Sequence, residues 1–181
     1  MKIPCISVLQ PHASLIALHA KMIETRSRDF TGGFRGPLAI HASKKFQGYE
    51  QRLCYAIPSF ADALRDYVVG LGGSLVQAKD YLPLGCIVAV CDLVDVVKIT
   101  DRHQAVYVVS HHYEPEPRDL VPSVEHARMV KQELAFGDYT PGRYMLLLRN
   151  VVALPQPIPA KGRLGLWNFE MEDPRGETSH V

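Results

Sequence analysis

The sequence has no long hydrophobic run, no internal repeat and no low-complexity tract. Its apolar stretches are far shorter than the ~20 residues that a membrane-spanning helix needs. The N-terminus also shows no apolar core of the kind that signal peptides carry. We therefore expect no membrane segment and a cytoplasmic, monomeric protein.

Cysteine is scarce, and none of the cysteines forms a Cys-x-x-Cys pair. The chain has four: Cys5, Cys54, Cys86 and Cys91. Three of them lie in apolar segments, which is typical of small core residues in a reducing compartment rather than of zinc ligands or disulfides. The sequence predicts neither a metal site nor a cofactor.

An excess of charge of either sign is also missing, since the net charge is only +1. No broad electrostatic field can therefore hold the protein on nucleic acid or membrane. The charge is nevertheless unevenly spread, with an excess of +4 over residues 21–45. A local basic patch on a neutral body suits one docking site.

The densest charge lies in eight consecutive positions that follow a short apolar segment. The charged residues there are Lys21, Glu24, Arg26 and Arg28. If Met22–Ser27 is a strand, the last three share one face, and Ile23 and Thr25 take the other. Such a strand lines either solvent or a polar cleft, and a Lys, a Glu and an Arg in a cleft suit a nucleotide.

A structural alternative stays open for the same residues. Lys21 would then cap the preceding helix, and Glu24 with Arg26 would be a solvated pair that contributes little. His12, at the start of that helix, is likewise either a cleft residue or a structural one.

A second polar strand is predicted at Gly36–Ser43, with His41 and Ser43 on one face and Lys44 directly after it. Two neighbouring strands with polar inner faces are what a ligand site at the mouth of a barrel needs. His41, Ser43 and Lys44 form a second group of candidates, although His41 also fits a core histidine with satisfied hydrogen bonds.

The rest of the chain alternates helical and apolar patterns. The predicted elements are a helix at about 46–69 that Pro58 divides, a buried strand Gly85–Ile99 that bends near Leu93–Val94, an edge strand Val106–Val109, a helix Ser123–Leu134 and a buried strand Tyr144–Leu154. The second helix delivers Glu133 to a turn at Phe136–Asp138.

Several segments in this order resemble the ASCH domain, a member of the PUA-like superfamily of small β-barrels. They are Gln10–Ile16, the pattern Lys-x-x-Glu-x-Arg at 21–26, Phe136–Tyr144 and Gly162–Trp167. Ala20 stands where the family signature has glycine. The resemblance implies an α+β fold, a PUA-like small mixed β-barrel with flanking helices. It implies one domain over residues 1–170, with helical insertions at about 46–80 and 100–135 and a flexible tail at 171–181.

The first function that the resemblance implies is binding of RNA, another single-stranded nucleic acid or a modified nucleoside. Glu24 would accept hydrogen bonds from a base, and cations would contact phosphates. The candidate binding residues are Arg26, Arg28, His41, Ser43, Lys44, Tyr139 and Arg143, with Lys45, Tyr144 and Trp167 also within the expected surface.

The second implied function is hydrolysis. One bacterial branch of the family is similar to amidohydrolases that remove the acyl group of N4-acetylcytidine, using a lysine, a threonine nucleophile and a distant glutamate. Lys21 matches the lysine and Glu133 the distant acid, but Glu24 occupies the nucleophile position and Thr25 lies beside it. A carboxylate with Lys21 would instead activate water, on an acyl group or a phosphodiester. Lys21, Glu24 and Glu133 are therefore the catalytic candidates.

A third implied role is that of a protein-interaction or coactivator-like module. The residues alone leave binding, catalysis and this role open.

Overall fold

The structure is a computed structural model that describes residues 1–113 and 124–175. Within them, six strands form one sheet: β1 (Lys2–Val8), β2 (Ile23–Arg26), β3 (Gly36–Ala42), β4 (Cys86–Lys98), β5 (Tyr144–Pro159) and β6 (Leu166–Glu170). The helices are α1 (His12–Ala17), α2 (Gly48–Ala56), α3 (Pro58–Gly70), a 3₁₀ helix (Leu75–Asp80), α4 (Arg102–Tyr113) and α5 (Val124–Ala135). The prediction of a mixed α+β fold is confirmed.

The strand order in the sheet is β2-β5-β4-β3-β1-β6. Strands β1 and β3 are parallel, and the other pairs are antiparallel. Register shifts along β4 and β5, including one between Leu93 and Asp95, mark the predicted bend. Such irregularities increase the local twist, so the sheet curls.

The prediction of a closed barrel is wrong. In the described part of the chain, no backbone pairing joins β2 to β6 or β1. β3 pairs with one backbone edge of β1, and β6 occupies the other edge over Lys2–Ile6. β6 pairs only as far as Ile6, however, so the next carbonyl, that of Ser7, accepts a hydrogen bond at 2.8 Å from the Arg26 side chain on β2. A side chain therefore bridges the gap that a strand pair would close in a barrel.

Two apolar clusters position the elements around this gap. One lies between the sheet and α1, whose Ala13 and Ile16 are fully buried. The other lies beneath α2 and α3, where Phe60 meets Phe136 with ring centroids 4.8 Å apart. That contact joins the helices after β3 to the segment after α5. Pro58 divides α2 from α3 as predicted, since its ring excludes the continuing backbone hydrogen bond.

The predicted edge strand at Val106–Val109 is wrong, because these residues lie inside α4. Ala105 and Val109 are one helical turn apart, and both are fully buried against a cluster that includes Ile23 and Met145. Tertiary burial at helical spacing decides the structure here over the β propensity of valine. None of the helices in the described residues has the length and hydrophobicity that a membrane span requires.

Parts of three predictions lie outside the described residues. They are the helical insertion at about 100–135, of which residues 114–123 are not described, the start of the helix at Ser123 and the last part of the tail, 176–181. In the described part of the tail, Arg175 forms ion pairs of 2.6 Å with Asp92 and with Asp173.

We expect Gly162→Ala to lower the free energy of unfolding by about 1–3 kcal/mol, the usual effect of overpacking. A Cβ there would overlap with Cε1 of His41 and would lie 2.8 Å from its Nδ1 and 2.9 Å from Oγ of Ser7. The His41 ring cannot move aside easily, since it is 2% exposed and packs edge-on against Trp167. Chemical denaturation measures the change.

The matched control is Gly48→Ala, at the start of α2, where nothing lies within 4 Å of the added methyl group. It should leave stability unchanged or slightly higher. Equal effects of the two substitutions would show that the contact between Gly162 and His41 is not close.

Candidate functional site

A cleft of about 490 Å³ opens beside Glu24, and we call it the Glu24 cleft. One wall is polar and carries Glu24, Arg26, Asp138 and Arg143. Four rings also line the cleft, those of His12, Tyr49, Phe60 and Phe136, and we call them the ring wall. Strand β2, helices α1 to α3 and the segment after α5 together build it.

Glu24 and Arg26 lie on one face of β2, as strand alternation predicts, and both line the cleft. Nε of Arg26 is 3.1 Å from Oε1 of Glu24, and Nη2 of Arg26 donates to the Ser7 carbonyl. The guanidinium also lies 5.6 Å from the centroid of the Phe30 ring. These contacts fix both charged groups in position. Arg28 follows the end of β2, is exposed and does not line this cleft.

Lys21 is fully buried and lies beneath the cleft. Its Nζ is 3.3 Å from Oε1 of Glu133 and 3.9 Å from Oε2 of Glu24, and it also donates to the Ile23 carbonyl. A solvated helix cap, the structural alternative for Lys21, is therefore wrong. The lysine lies between two carboxylates in the protein interior.

Glu133, at the end of α5, is also fully buried and accepts from four donors. Besides Lys21, these are the Met22 amide at 2.7 Å, the Tyr113 hydroxyl at 2.5 Å and the Tyr139 hydroxyl at 3.0 Å. A buried carboxylate with this many donors is well compensated for its lost hydration.

The two tyrosines of this network stay protonated. Burial, and secondly the negative charge of Glu133, raise the pKa of Tyr113 and of Tyr139 far above the usual range. Both phenols are therefore permanent donors to Glu133. Tyr139, a candidate binding residue, is tied to this network and does not line the Glu24 cleft.

The predicted trio of Lys21, Glu24 and Glu133 is thus brought together, but its members differ in access. Glu24 alone lines the cleft, with 11% of its side chain exposed. Lys21 and Glu133 hold it from below.

The segment after α5 is fastened to β2 by Thr25, whose Oγ1 accepts a hydrogen bond from the Asp138 amide at 3.1 Å. Arg143 forms an ion pair of 3.3 Å with Asp138 and donates to its carbonyl. Arg143, a candidate binding residue, therefore lines the cleft in a fixed orientation.

The ring wall was missed by sequence reasoning, apart from the open alternative for His12. His12 packs edge-on against Phe60, with ring centroids 5.3 Å apart. Burial, and secondly the charge of Lys21, lower its pKa to about 4, so it is neutral near pH 7. Tyr49 is 71% exposed at the mouth. In the sequence, the only indication of these rings was a tyrosine, Tyr49, four residues after the Lys44-Lys45 pair.

His41, Ser43 and Lys44 do not join the Glu24 cleft. They line a second cleft of about 810 Å³ together with residues 159–164, which we call the Lys44 cleft. His41 is 2% exposed, and burial lowers its pKa. Ser7, which pairs in register with His41, lines both clefts.

No cluster of three or more His, Cys, Asp or Glu side chains suited to a metal ion occurs among the described residues.

No protein-family model matches the chain, and no curated protein matches it. Among solved structures, the chain is similar to the crystal structure of a mutant of ZmASCH from Zymomonas mobilis. The identity is 13% and the TM-score 0.43, over 92% of this chain and 89% of that chain.

Breaking the buried ion pair from either side should lower the free energy of unfolding by about 3–5 kcal/mol, because an unpaired charge is left in the interior. We expect this for Lys21→Met and for Glu133→Gln. The double substitution should lose clearly less than the sum of the two. Urea denaturation of the four proteins measures this coupling.

The control is Lys2→Met, which removes the exposed pair between Lys2 and Glu170 and should change stability little. Additive losses, or single losses as small as in the control, would contradict the buried pairing.

His12 should make the protein acid-sensitive. Its folded pKa of about 4 lies below the ordinary value of 6.5, so the unfolded chain binds the proton more readily between these pH values. The contribution is complete above pH 6.5 and is lost as the pH falls toward 4, at a rate of at most about 1.4 kcal/mol per pH unit. His12→Gln should therefore lose less stability than the wild type on acidification. If the free energy of unfolding of the two proteins fell by the same amount as the pH was lowered, a neutral, buried His12 would be excluded.

Proposed function

We propose that the protein binds a nucleobase in the Glu24 cleft, as part of an RNA, another single strand or a modified nucleoside. One observation carries the proposal: a paired carboxylate, two arginines and several rings line a single cleft. Each group matches one part of a nucleotide.

Glu24 matches the edge of a base. A carboxylate accepts hydrogen bonds from exocyclic amino groups and ring N–H groups, and such charge-assisted bonds are strong. The carboxylate is held from one side by Arg26 and from below by Lys21. A ligand would therefore meet a preorganised acceptor, which reduces the ordering that binding requires.

The ring wall matches the face of a base. Tyr49 offers an exposed ring at the mouth, and Phe60 and Phe136 form an apolar floor deeper in the cleft. Stacking of a base on an aromatic side chain contributes about 1–3 kcal/mol. Arg26 and Arg143 stand where phosphate oxygens of the same ligand could be contacted.

Lys21 and Glu133 are positioning residues in this proposal, because neither touches the cleft. The burial of Lys21 also favours binding over hydrolysis, since its ammonium is 0% exposed and lies below the ligand space. The hydrolase alternative rests on Glu24, because a carboxylate in the cleft can accept a proton from water. The protein-interaction role stays a prediction from the resemblance, and the monomeric state and the cytoplasmic location stay predictions from the sequence.

Removing either wall should weaken binding. We expect Tyr49→Ala to lower affinity about tenfold through lost stacking, and Glu24→Gln to lower it by a similar factor through loss of the charged acceptor. The probes are a pool of common and modified nucleosides, including N4-acetylcytidine, and short single-stranded RNAs. Calorimetric titration gives the affinities, and mass spectrometry of the pool detects turnover.

Tyr55→Ala is the matched control, since Tyr55 is 45% exposed on the same helix α2 and does not line the cleft. It should bind like the wild type. Product formation that Glu24→Gln abolishes would replace the binding proposal by the hydrolase. Absence of binding to every probe would refute both.

A further inference from the structure

The charged side chains that line the Lys44 cleft are all positive. Three cations line it, Lys44, Lys161 and Arg163, and its lining contains no Asp or Glu. None of the three forms an ion pair with a described carboxylate. Cations gathered without counter-charges on a chain whose net charge is +1 favour an anionic ligand.

Hydroxyl and imidazole groups add hydrogen-bonding capacity. Oγ of Ser43 accepts from the Lys45 amide at 3.1 Å, which leaves its own proton free to be donated. Nε2 of His41 donates to the Ala160 carbonyl at 3.1 Å, so Nδ1 is an acceptor, and this buried atom has no partner in the structure. The His41 ring therefore supports the 159–164 segment, and the outward-facing donors of the cleft are Ser43 and the cations.

Ser7 joins the two clefts. Its carbonyl holds Arg26 of the Glu24 cleft at 2.8 Å, and its hydroxyl donates to the carbonyl of Arg163 in the Lys44 cleft at 2.9 Å. Because Ser7 lines both clefts, they are adjacent at this residue. Cations then continue on both sides of Ser7.

We propose that the Lys44 cleft binds phosphate groups of the same strand whose base occupies the Glu24 cleft, so that the ligand is a single-stranded nucleic acid crossing Ser7. The inference rests on the proposed function of the Glu24 cleft. A basic groove that follows the backbone, next to rings that take a base, is the arrangement by which proteins hold single strands.

Affinity should therefore grow with strand length. The probes are homopolymeric single-stranded RNAs of one to about eight nucleotides, the corresponding nucleosides and inorganic pyrophosphate. The wild type is compared with the triple variant Lys44→Gln, Lys161→Gln and Arg163→Gln, which removes the three positive charges and keeps polar side chains. Titrations at several salt concentrations give the salt dependence.

For single strands, log K falls with log salt at a slope of about −0.7 per phosphate contact. In the triple variant, the slope should therefore be smaller in magnitude by about 2, because three contacts are removed. The variant should also bind the longer strands at least about tenfold more weakly. Its affinity for nucleosides should not change. The matched control removes the same charges elsewhere, by Lys79→Gln, Lys98→Gln and Arg102→Gln, and should behave like the wild type.

Three results would overturn the inference. Affinity could fail to rise with length, both triple variants could lose the same slope, or pyrophosphate could fill the Lys44 cleft without competing with the strand. If nucleosides still bind in these cases, only the strand path fails and the Glu24 cleft stands. If neither nucleosides nor strands bind, the proposed function fails as well.

Discussion

The arrangement around the Glu24 cleft depends on the buried ion pair between Lys21 and Glu133. Two charges taken out of water destabilise a fold unless every remaining donor and acceptor is satisfied. Here the Met22 amide and the hydroxyls of Tyr113 and Tyr139 complete the shell of Glu133. The pair thereby attaches the end of α5 to the start of β2 and places a positive charge beneath Glu24. The cleft floor and the position of its carboxylate are set together.

The site lies where the sheet is not closed, between β2 and β1. A backbone pair between β2 and β1 would seal this region, whereas the Arg26 side chain spans it and stays partly exposed, at 27%. The same arginine therefore has a structural contact with Ser7 and a cationic surface toward a ligand. Ser7 lies just past the end of the pairing with β6, which leaves its carbonyl available for this purpose.

Sequence reasoning reached Glu24 and Arg26 because their spacing is local and places both on one face of β2. Glu133 and Arg143 are more than a hundred residues away along the chain, and only the family resemblance made them candidates. The ring wall depends on a long-range contact, Phe60 against Phe136, which no local pattern encodes. Closure of the barrel failed for a similar reason, since it depends on which edges of β1 are already occupied. His41 and Glu24 line different clefts because His41 pairs with Ser7 on β1. This depends on the register between strands, which the composition of a segment does not reveal.

The most direct test of the central claim is a two-dimensional ¹H–¹⁵N NMR titration of the wild type with nucleoside monophosphates of all four bases. Binding in the Glu24 cleft should shift the amide resonances of Ser27, Tyr49, Gly137 and Asp138, which line it from three separate segments of the chain. The amides of Arg102 and His103, at the exposed start of α4, line neither cleft and should stay in place. Shifts centred on α4 and α5, or no shifts with any of the four nucleotides, would contradict the claim that this cleft is where the protein meets its ligand.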